Sequence, residues 1–134
     1  MNLFAYGTLM DPRIFSVVTG IDPASANNIS LNGRLPGYRR TAFKRAPYPG
    51  ICPHPGSHVE GLIYRDIEVD VWEKLDEFEG GWYRQEVVEV IAPGEERITA
   101  TTYVVIERFR GLLSNDDWDF DNFRTHHAAK YLSR

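Results

Sequence analysis

The chain has 134 residues, with 15 Lys+Arg against 19 Asp+Glu for a formal charge of −4, and 43% of its residues are hydrophobic. This length fits a single domain over residues 1–134, and the apolar content can offset the chain entropy that keeps polar sequences unfolded. The mild acidity disfavours a nucleic-acid binder, and the absence of an apolar run of ~18 residues disfavours a membrane span. The lone Cys52 is typical of a reducing compartment, so we expect a cytoplasmic protein.

The N-terminal segment predicts a strand, a turn and a helix. A short buried strand is expected from Leu3 to Tyr6, stopping at Gly7. Asp11-Pro12 is typical of an N-cap followed by proline at the first helical position. The helix should run from about Pro12 to Val18 and close near Gly20.

The next segment predicts less regular structure. Residues 21–28 are polar and are expected to form a loop, and Ile29 to Phe43 has a strand-like pattern that Pro36-Gly37 interrupts. Residues 46–57 contain four prolines and two glycines, which disfavour a central strand or a helix. This stretch is expected to be an ordered surface loop or a segment beside a pocket.

The middle of the chain predicts a strand followed by a well-marked helix. Val59 to Tyr64 has a strand pattern, and Asp70 with Glu73 resembles a capping box. A helix is expected over about residues 71–79, ending at Gly80-Gly81, because its apolar positions repeat at helical spacing: Val71, Trp72, Leu75 and Phe78.

The last third predicts a hairpin and a helix. Tyr83 to Ile91 and Ile98 to Ile106 are rich in β-branched residues and are joined by a Pro-Gly turn, as in an antiparallel hairpin. Asp117 to Leu132 is expected to be helical, with an apolar stripe of Phe120, Phe123, His127 and Tyr131. Five or six strands with two or three helices indicate an α+β fold, with a mostly antiparallel curled sheet or small β-barrel.

Two features could carry chemistry. The segment from Tyr6 to Met10 joins a strand to a helix through Gly7, and successive amides at such a turn can hold a carboxylate, although a turn without a ligand explains the pattern equally well. Glu79 lies on the core-facing side of the predicted middle helix, where partial desolvation, the helix dipole and neighbouring Asp76 and Glu77 all disfavour ionisation. Glu79 is therefore a candidate proton-exchanging group; the alternative is a solvated acidic helix face.

Other polar clusters have ordinary explanations. Residues 34–45 contain five basic and no acidic residues, which is more typical of a solvated strand edge than of a nucleic-acid patch. His54 and His58 flank Pro55-Gly56 and cannot share a helix face, and His126-His127 are adjacent, so we predict no metal site.

The motifs, taken together, resemble the gamma-glutamylcyclotransferase-like family, in particular its small plant and bacterial members. The resemblance covers almost the whole chain and rests on a set of segments in the family's order: Tyr6-Gly7-Thr8-Leu9-Met10, Pro49-Gly50-Ile51, Val59-Glu60-Gly61-Leu62-Ile63-Tyr64, Leu75-Asp76-Glu77-Phe78-Glu79-Gly80 with Tyr83-Arg84, Ala100-Thr101-Thr102-Tyr103, and Asp116-Asp117-Trp118-Asp119 with Phe123.

This resemblance implies a compact, mostly antiparallel β-barrel of about six strands flanked by helices, with a polar cavity at one side. It implies that backbone amides of the turn from Tyr6 through Gly7 and Thr8 to Leu9 hold the α-carboxylate of a γ-glutamyl substrate. It also implies that Glu79 shuttles the proton; an alignment slip would place Glu77 in that role, but helical geometry puts Glu77 on the outward side. Tyr83 and Tyr103 match positions that line the cavity.

The implied reaction releases 5-oxoproline and an amine or amino acid by attack of the substrate's own α-amine on its γ-carbonyl, and an isopeptide-type γ-glutamyl-lysine is among the expected substrates. Because the reaction is intramolecular, it needs no cofactor and no covalent nucleophile. Two other functions stay open: a non-catalytic small-acid-binding or stress-response interaction protein on the same fold, and an enzyme that removes a γ-glutamyl protecting group from a pathway intermediate. The leaving amine and the oligomeric state are not predicted.

Overall fold

The computed structural model describes residues 1–132, in which a closed five-stranded β-barrel carries a sixth strand and five α-helices. The strands are β1 (Leu3–Ala5), β2 (Ser30–Phe43), β3 (Pro49–Tyr64), β4 (Tyr83–Ala92), β5 (Glu96–Val105) and β6 (Leu113–Asp117). The α-helices are α1 (Pro12–Thr19), α2 (Pro23–Ile29), α3 (Val69–Glu79), α4 (Phe120–His126) and α5 (Ala128–Leu132).

The barrel closes because β3 pairs with strands on both of its sides. The strand order is β3-β1-β5-β4-β2, β2 returns to pair with β3, and β6 is added to β2 outside the ring. Every pairing is antiparallel except that of β1 with β5, which is parallel at Leu3 and Thr101. The predicted α+β class with a mostly antiparallel barrel is confirmed.

Two apolar clusters fill the molecule on either side of the barrel wall. One receives side chains from all five barrel strands and from no α-helix, so it is the barrel interior: Phe4, Tyr6, Leu35, Ile51, Val59, Ile63, Val90, Ala92, Ala100 and Val104. The other joins the outer barrel face to the helices and includes Phe15 of α1, whose ring stacks on Tyr64 at 3.9 Å between centroids. Strand β1 contributes to both clusters because successive side chains point to opposite faces.

Several predicted elements are confirmed. Helix α1 starts after Asp11, whose side chain accepts a hydrogen bond from the Arg13 backbone N–H, and it ends at Gly20 in the left-handed conformation. The strand before Gly7 and the β4–β5 hairpin also form where the pattern places them.

The polar loop predicted over residues 21–28 is wrong, because most of this stretch forms α2. Asp22 is its N-cap and accepts a hydrogen bond from the Ser25 N–H, and Pro23 occupies the first helical position. This is the same start signal that marks α1, and it outweighs the polar composition.

The proline-rich stretch is not a loop either, because β3 begins at Pro49 and pairs with β2. The register jumps between the pairs Tyr38–Pro53 and Pro36–His58, so residues 54–57 bulge out of the ladder. Pro55 is tolerated in this bulge because a bulge leaves backbone donors unpaired in any case, whereas Pro49 and Pro53 stand opposite Ala42 and Tyr38 of β2.

Helix boundaries differ at two further places. Helix α3 begins at Val69 after Glu68, so Asp70 lies in its first turn and is not the cap. The long helix predicted over residues 117–132 is divided, because Asp117 ends β6, Asp119 caps α4 through the Asp121 N–H, and non-helical backbone at His127 separates α4 from α5. These additional caps explain why five α-helices form where two or three are predicted.

Candidate functional site

A cavity of about 110 Å³ lies beside β1, between the turn that follows it and the C-terminal end of α3. Among residues 1–132, its walls include one carboxyl group and five tyrosines. The lining residues are Leu3, Phe4, Ala5, Tyr6, Gly7, Thr8, Leu9, Tyr48, Pro49, Phe78, Glu79, Tyr83, Tyr103 and Tyr131.

All the site residues predicted from the sequence lie around this one cavity: Tyr6, Gly7, Thr8, Leu9, Glu79, Tyr83 and Tyr103. The acid and the turn, which are about seventy residues apart in the sequence, therefore share one enclosed space. The binding and catalytic roles given to these residues stay predictions.

The turn after β1 presents backbone donors. Residues Thr8–Met10 form a single 3₁₀ turn, in which the Met10 N–H donates to the Gly7 carbonyl at 3.0 Å and the Asp11 N–H to the Thr8 carbonyl at 3.2 Å. The N–H groups of Gly7, Thr8 and Leu9 have no acceptor within residues 1–132. Three amides beside the cavity are thus available to an anion.

Strand β3 approaches the turn closely at Gly7. A Cβ atom on Gly7 would lie 3.0 Å from both Cδ and Cγ of Pro49, tighter than ordinary side-chain contacts. A side chain at this position would therefore force the turn or the Pro49 ring to shift by a few tenths of an ångström.

Glu79 is the last residue of α3 and is half-buried against the cavity. Burial, and after it the negative charge of Asp76 one helical turn earlier, together raise the pKa of Glu79 from 4.5 to about 8. The neighbouring Glu77 is exposed, which agrees with its predicted outward position. Glu79 can therefore gain or lose a proton near neutral pH.

Asp76 is fixed by two donors. The Tyr103 hydroxyl donates to its Oδ1 at 2.6 Å, and Gln85 Nε2 donates to the same atom at 2.7 Å. These two bonds hold the Asp76 side chain in place beside Glu79, in agreement with part of the predicted cause of the raised pKa of Glu79.

Three of the cavity tyrosines, Tyr6, Tyr83 and Tyr103, are neutral near pH 7. The Tyr6 hydroxyl donates to the Tyr103 carbonyl at 2.6 Å and the Tyr83 hydroxyl to the Pro49 carbonyl at 2.8 Å. Burial, followed by the nearby Glu79 charge for Tyr6, raises the pKa values of Tyr6, Tyr83 and Tyr103 well above 10. These phenols shape the cavity and stay protonated while Glu79 titrates.

Two residues of the cavity wall are not among the predicted site residues. Phe78 and Tyr131 line the cavity, and their rings contact each other edge to face with centroids 6.1 Å apart. The predicted alternative of a proline-rich segment beside a pocket holds for Tyr48 and Pro49. Phe78 and Tyr131 carry only a helical-stripe pattern, which predicts burial and gives no sign of a cavity.

The prediction that the basic residues of segment 34–45 form a solvated strand edge is wrong for Arg40. Lys44 and Arg45 are exposed as expected, but Arg40 is half-buried and its Nη1 donates to the Tyr6 carbonyl at 2.7 Å. A charged side chain in a strand pattern is expected to face solvent, and nothing in the sequence indicates that Arg40 binds the Tyr6 carbonyl.

Within residues 1–132 there is no group of three or more His, Cys, Asp or Glu side chains able to hold a metal ion. His54 instead contacts Ser57, and His58 lies 3.3 Å from Glu60. In the same described part of the chain, no helix has the length and apolarity of a membrane span.

Comparison with known proteins gives matches over nearly the whole chain. The family model described as gamma-glutamyl cyclotransferase, AIG2-like, matches residues 3–120. AIG2-like protein C of Arabidopsis thaliana is 29% identical over 133 residues, which cover 98% of this chain and 74% of that protein.

Solved structures agree with this match. A solution structure from Arabidopsis thaliana is 26% identical, with a TM-score of 0.72 over 98% of this chain and 77% of that one. A structure named gamma-glutamyl cyclotransferase has a TM-score of 0.66 at 19% identity, over 79% of this chain and 66% of that one, and it supports the fold alone.

Proposed function

The chain belongs to the gamma-glutamyl cyclotransferase, AIG2-like family, and from this premise we propose that it converts a γ-glutamyl compound into 5-oxoproline and a free amine or amino acid. The observation that carries the proposal is the pairing of a carboxyl group of pKa about 8 with an amide-lined turn around one small cavity. The single cysteine requires no oxidising compartment, so we expect this reaction to take place in the cytoplasm.

Binding is the first step of the proposed mechanism. The substrate's α-carboxylate accepts hydrogen bonds from the backbone N–H groups of Gly7, Thr8 and Leu9, which lack other acceptors within residues 1–132. The walls of the cavity then hold the glutamyl chain folded back on itself, with its α-nitrogen near its γ-carbonyl. Orientation of this kind can contribute up to ~7–11 kcal/mol in favourable intramolecular reactions.

Glu79 acts next as the general base. Its ionised carboxylate takes a proton from the α-ammonium, and the freed amine attacks the γ-carbonyl carbon, so that a new C–N bond closes the five-membered ring. The pKa of about 8 lies close to that of an amine, which allows the proton to move in either direction.

Glu79 then acts as the general acid. It delivers the proton to the leaving nitrogen, the original amide C–N bond breaks and the carbonyl re-forms. The ring nitrogen still carries one proton too many for the lactam, and Glu79 transfers this proton to the departing amine as well. The amine therefore leaves as an ammonium ion, and Glu79 returns to its ionised state. Such acid–base assistance contributes roughly 10²–10⁴ in rate.

The experiment is an assay of 5-oxoproline release from a panel of γ-glutamyl amines and γ-glutamyl amino acids, including γ-glutamyl-lysine isopeptide. Glu79→Gln should lower kcat by at least ~10² with little effect on substrate binding. Glu77→Gln is the matched control, because it removes a carboxylate two residues away on the exposed side, and it should keep full activity.

Two results would contradict the proposal: no 5-oxoproline from any compound with folded protein, or full activity of Glu79→Gln. Binding of these compounds or of 5-oxoproline without conversion would instead favour the non-catalytic binding function on this fold.

A further inference from the structure

Arg40 on β2 lies against the turn after β1 without lining the cavity. Its Nη1 is 2.7 Å from the Tyr6 carbonyl oxygen and 3.1 Å from the Glu60 carbonyl oxygen. The guanidinium also lies 5.3 Å from the ring centre of Trp118, a buried side chain whose Nε1 donates to the Pro47 carbonyl at 2.7 Å. Two carbonyls and an aromatic face therefore fix the cation in place.

The Tyr6 carbonyl and the Gly7 N–H belong to the same peptide group. No cis peptide bond occurs in the described residues, so the two bonds point in opposite directions from this trans peptide. A cation that holds the carbonyl on one side thereby directs the N–H to the other side, and Gly7 lines the cavity.

The hydrogen bond from Arg40 to the Tyr6 carbonyl also makes the Gly7 N–H a stronger donor. A guanidinium keeps its charge at all ordinary pH values, and its bond to the carbonyl polarises the whole peptide group. Hydrogen bonds linked through a polarised group strengthen one another, so the Gly7 N–H becomes a better donor to an anion.

We propose that Arg40 is a positioning residue that orients and polarises the Gly7 N–H toward the α-carboxylate of the substrate. This inference rests on the proposed function and adds to it a residue outside the cavity. It predicts that Arg40 contributes to recognition of the carboxylate specifically, whereas a purely structural Arg40 would affect every ligand of the cavity alike.

Arg39 provides a matched control. It is the adjacent residue of β2 and carries the same charge, but it pairs with the exposed Asp117 at 3.3 Å and with the Asn115 carbonyl. Arg39→Met and Arg40→Met therefore remove equal charge from neighbouring positions, and only Arg40→Met removes the contact with the turn.

The experiment compares the binding of 5-oxoproline and of 2-pyrrolidinone, the same ring without its carboxylate, by NMR titration of the full chain. Arg40→Met should weaken 5-oxoproline binding by ~10-fold, which corresponds to about 1.4 kcal/mol, and should change 2-pyrrolidinone binding by less than ~2-fold. Arg40→Lys should give an intermediate affinity, because lysine keeps the charge but not the planar fork. Arg39→Met should bind both ligands as the wild type does.

A spectroscopic readout follows the same peptide directly. In the wild type and in Arg39→Met, 5-oxoproline should move the Gly7 amide proton downfield, and this response should be lost or greatly reduced in Arg40→Met. Equal weakening of both ligands, an unchanged Gly7 response in Arg40→Met, or identical behaviour of the two variants would overturn the inference while leaving the proposed function intact. Failure of the wild type to bind 5-oxoproline would overturn the inference alone, whereas failure to release 5-oxoproline from any substrate would overturn both.

Discussion

Replacement of Glu79 by glutamine should stabilise the folded protein above neutral pH. Because the pKa of Glu79 is raised from 4.5 to about 8, the folded chain keeps this proton over a pH range in which the unfolded chain has released it. The free energy of unfolding of the wild type therefore falls as pH rises through that range, and levels off above it. Glutamine has nearly the same size and carries no charge, so the variant loses this decline.

The size of the effect follows from the pKa difference. Each unit between the folded and unfolded pKa values corresponds to about 1.36 kcal/mol, so the interval from 4.5 to about 8 sets an upper limit of roughly 4.8 kcal/mol above the folded pKa. Glu79 is only half-buried, so exposure to solvent reduces this limit. We therefore expect a gain of about 1–3 kcal/mol at about pH 9, equivalent to a rise in Tm of ~3–9 °C.

Thermal and urea unfolding of the wild type, Glu79→Gln and Glu77→Gln at about pH 4.5, 7 and 9 provide the test. The gain of Glu79→Gln should be close to zero at the lowest pH and grow with pH, whereas the exposed Glu77→Gln should stay within ~0.5 kcal/mol of the wild type throughout. A Glu79→Gln gain that is the same at all three pH values would refute the reasoning, because Glu79 would then ionise as an ordinary surface acid.

Three further predictions concern the same architecture. Asp76→Asn removes the charge beside Glu79 and should lower the pKa of Glu79 by about one pH unit, as followed by ¹³C NMR of its carboxyl; an unmoved titration would contradict this. Gly7→Ala sets a Cβ 3.0 Å from the Pro49 ring and should raise KM by at least ~10-fold, a result that unchanged kinetics would rule out. Asp22→Ala removes the cap of α2 and should lower Tm by a few degrees with kcat/KM unchanged; a loss of activity would show that α2 contributes to the site.

The parts of this molecule that the sequence predicts well are those with local causes. Asp11-Pro12 and Gly20 delimit α1 through contacts within a few residues, and the apolar spacing around Leu75 places α3 and the facing of Glu79. The same local rules explain the missed helix α2, because Asp22-Pro23 is as strong a start signal as Asp11-Pro12 but lies in a polar stretch.

The parts that the sequence does not predict depend on contacts between distant segments. The bulge at residues 54–57 lets a proline-rich stretch pair with β2, which no rule for isolated prolines anticipates. The sequence predicts Arg40 to be a surface charge, because its partner, the Tyr6 carbonyl, lies more than thirty residues away along the chain. The residue pattern predicts Glu79 and the turn at Tyr6 as candidate site residues, whereas Tyr83 and Tyr103 follow from the family resemblance. Their meeting around one cavity depends on the tertiary fold.

The parallel pairing of β1 with β5 determines when the site can form. Leu3 must align with Thr101, the Phe4 carbonyl must meet the Thr102 hydroxyl, and the Tyr6 hydroxyl must meet the Tyr103 carbonyl, all across nearly a hundred residues. Contacts between residues this far apart along the chain slow folding, because the entropy of closing a large loop is lost before the contacts can stabilise the structure. During synthesis β1 leaves the ribosome well before β5, so a nascent chain can enclose the cavity only after β5 has emerged.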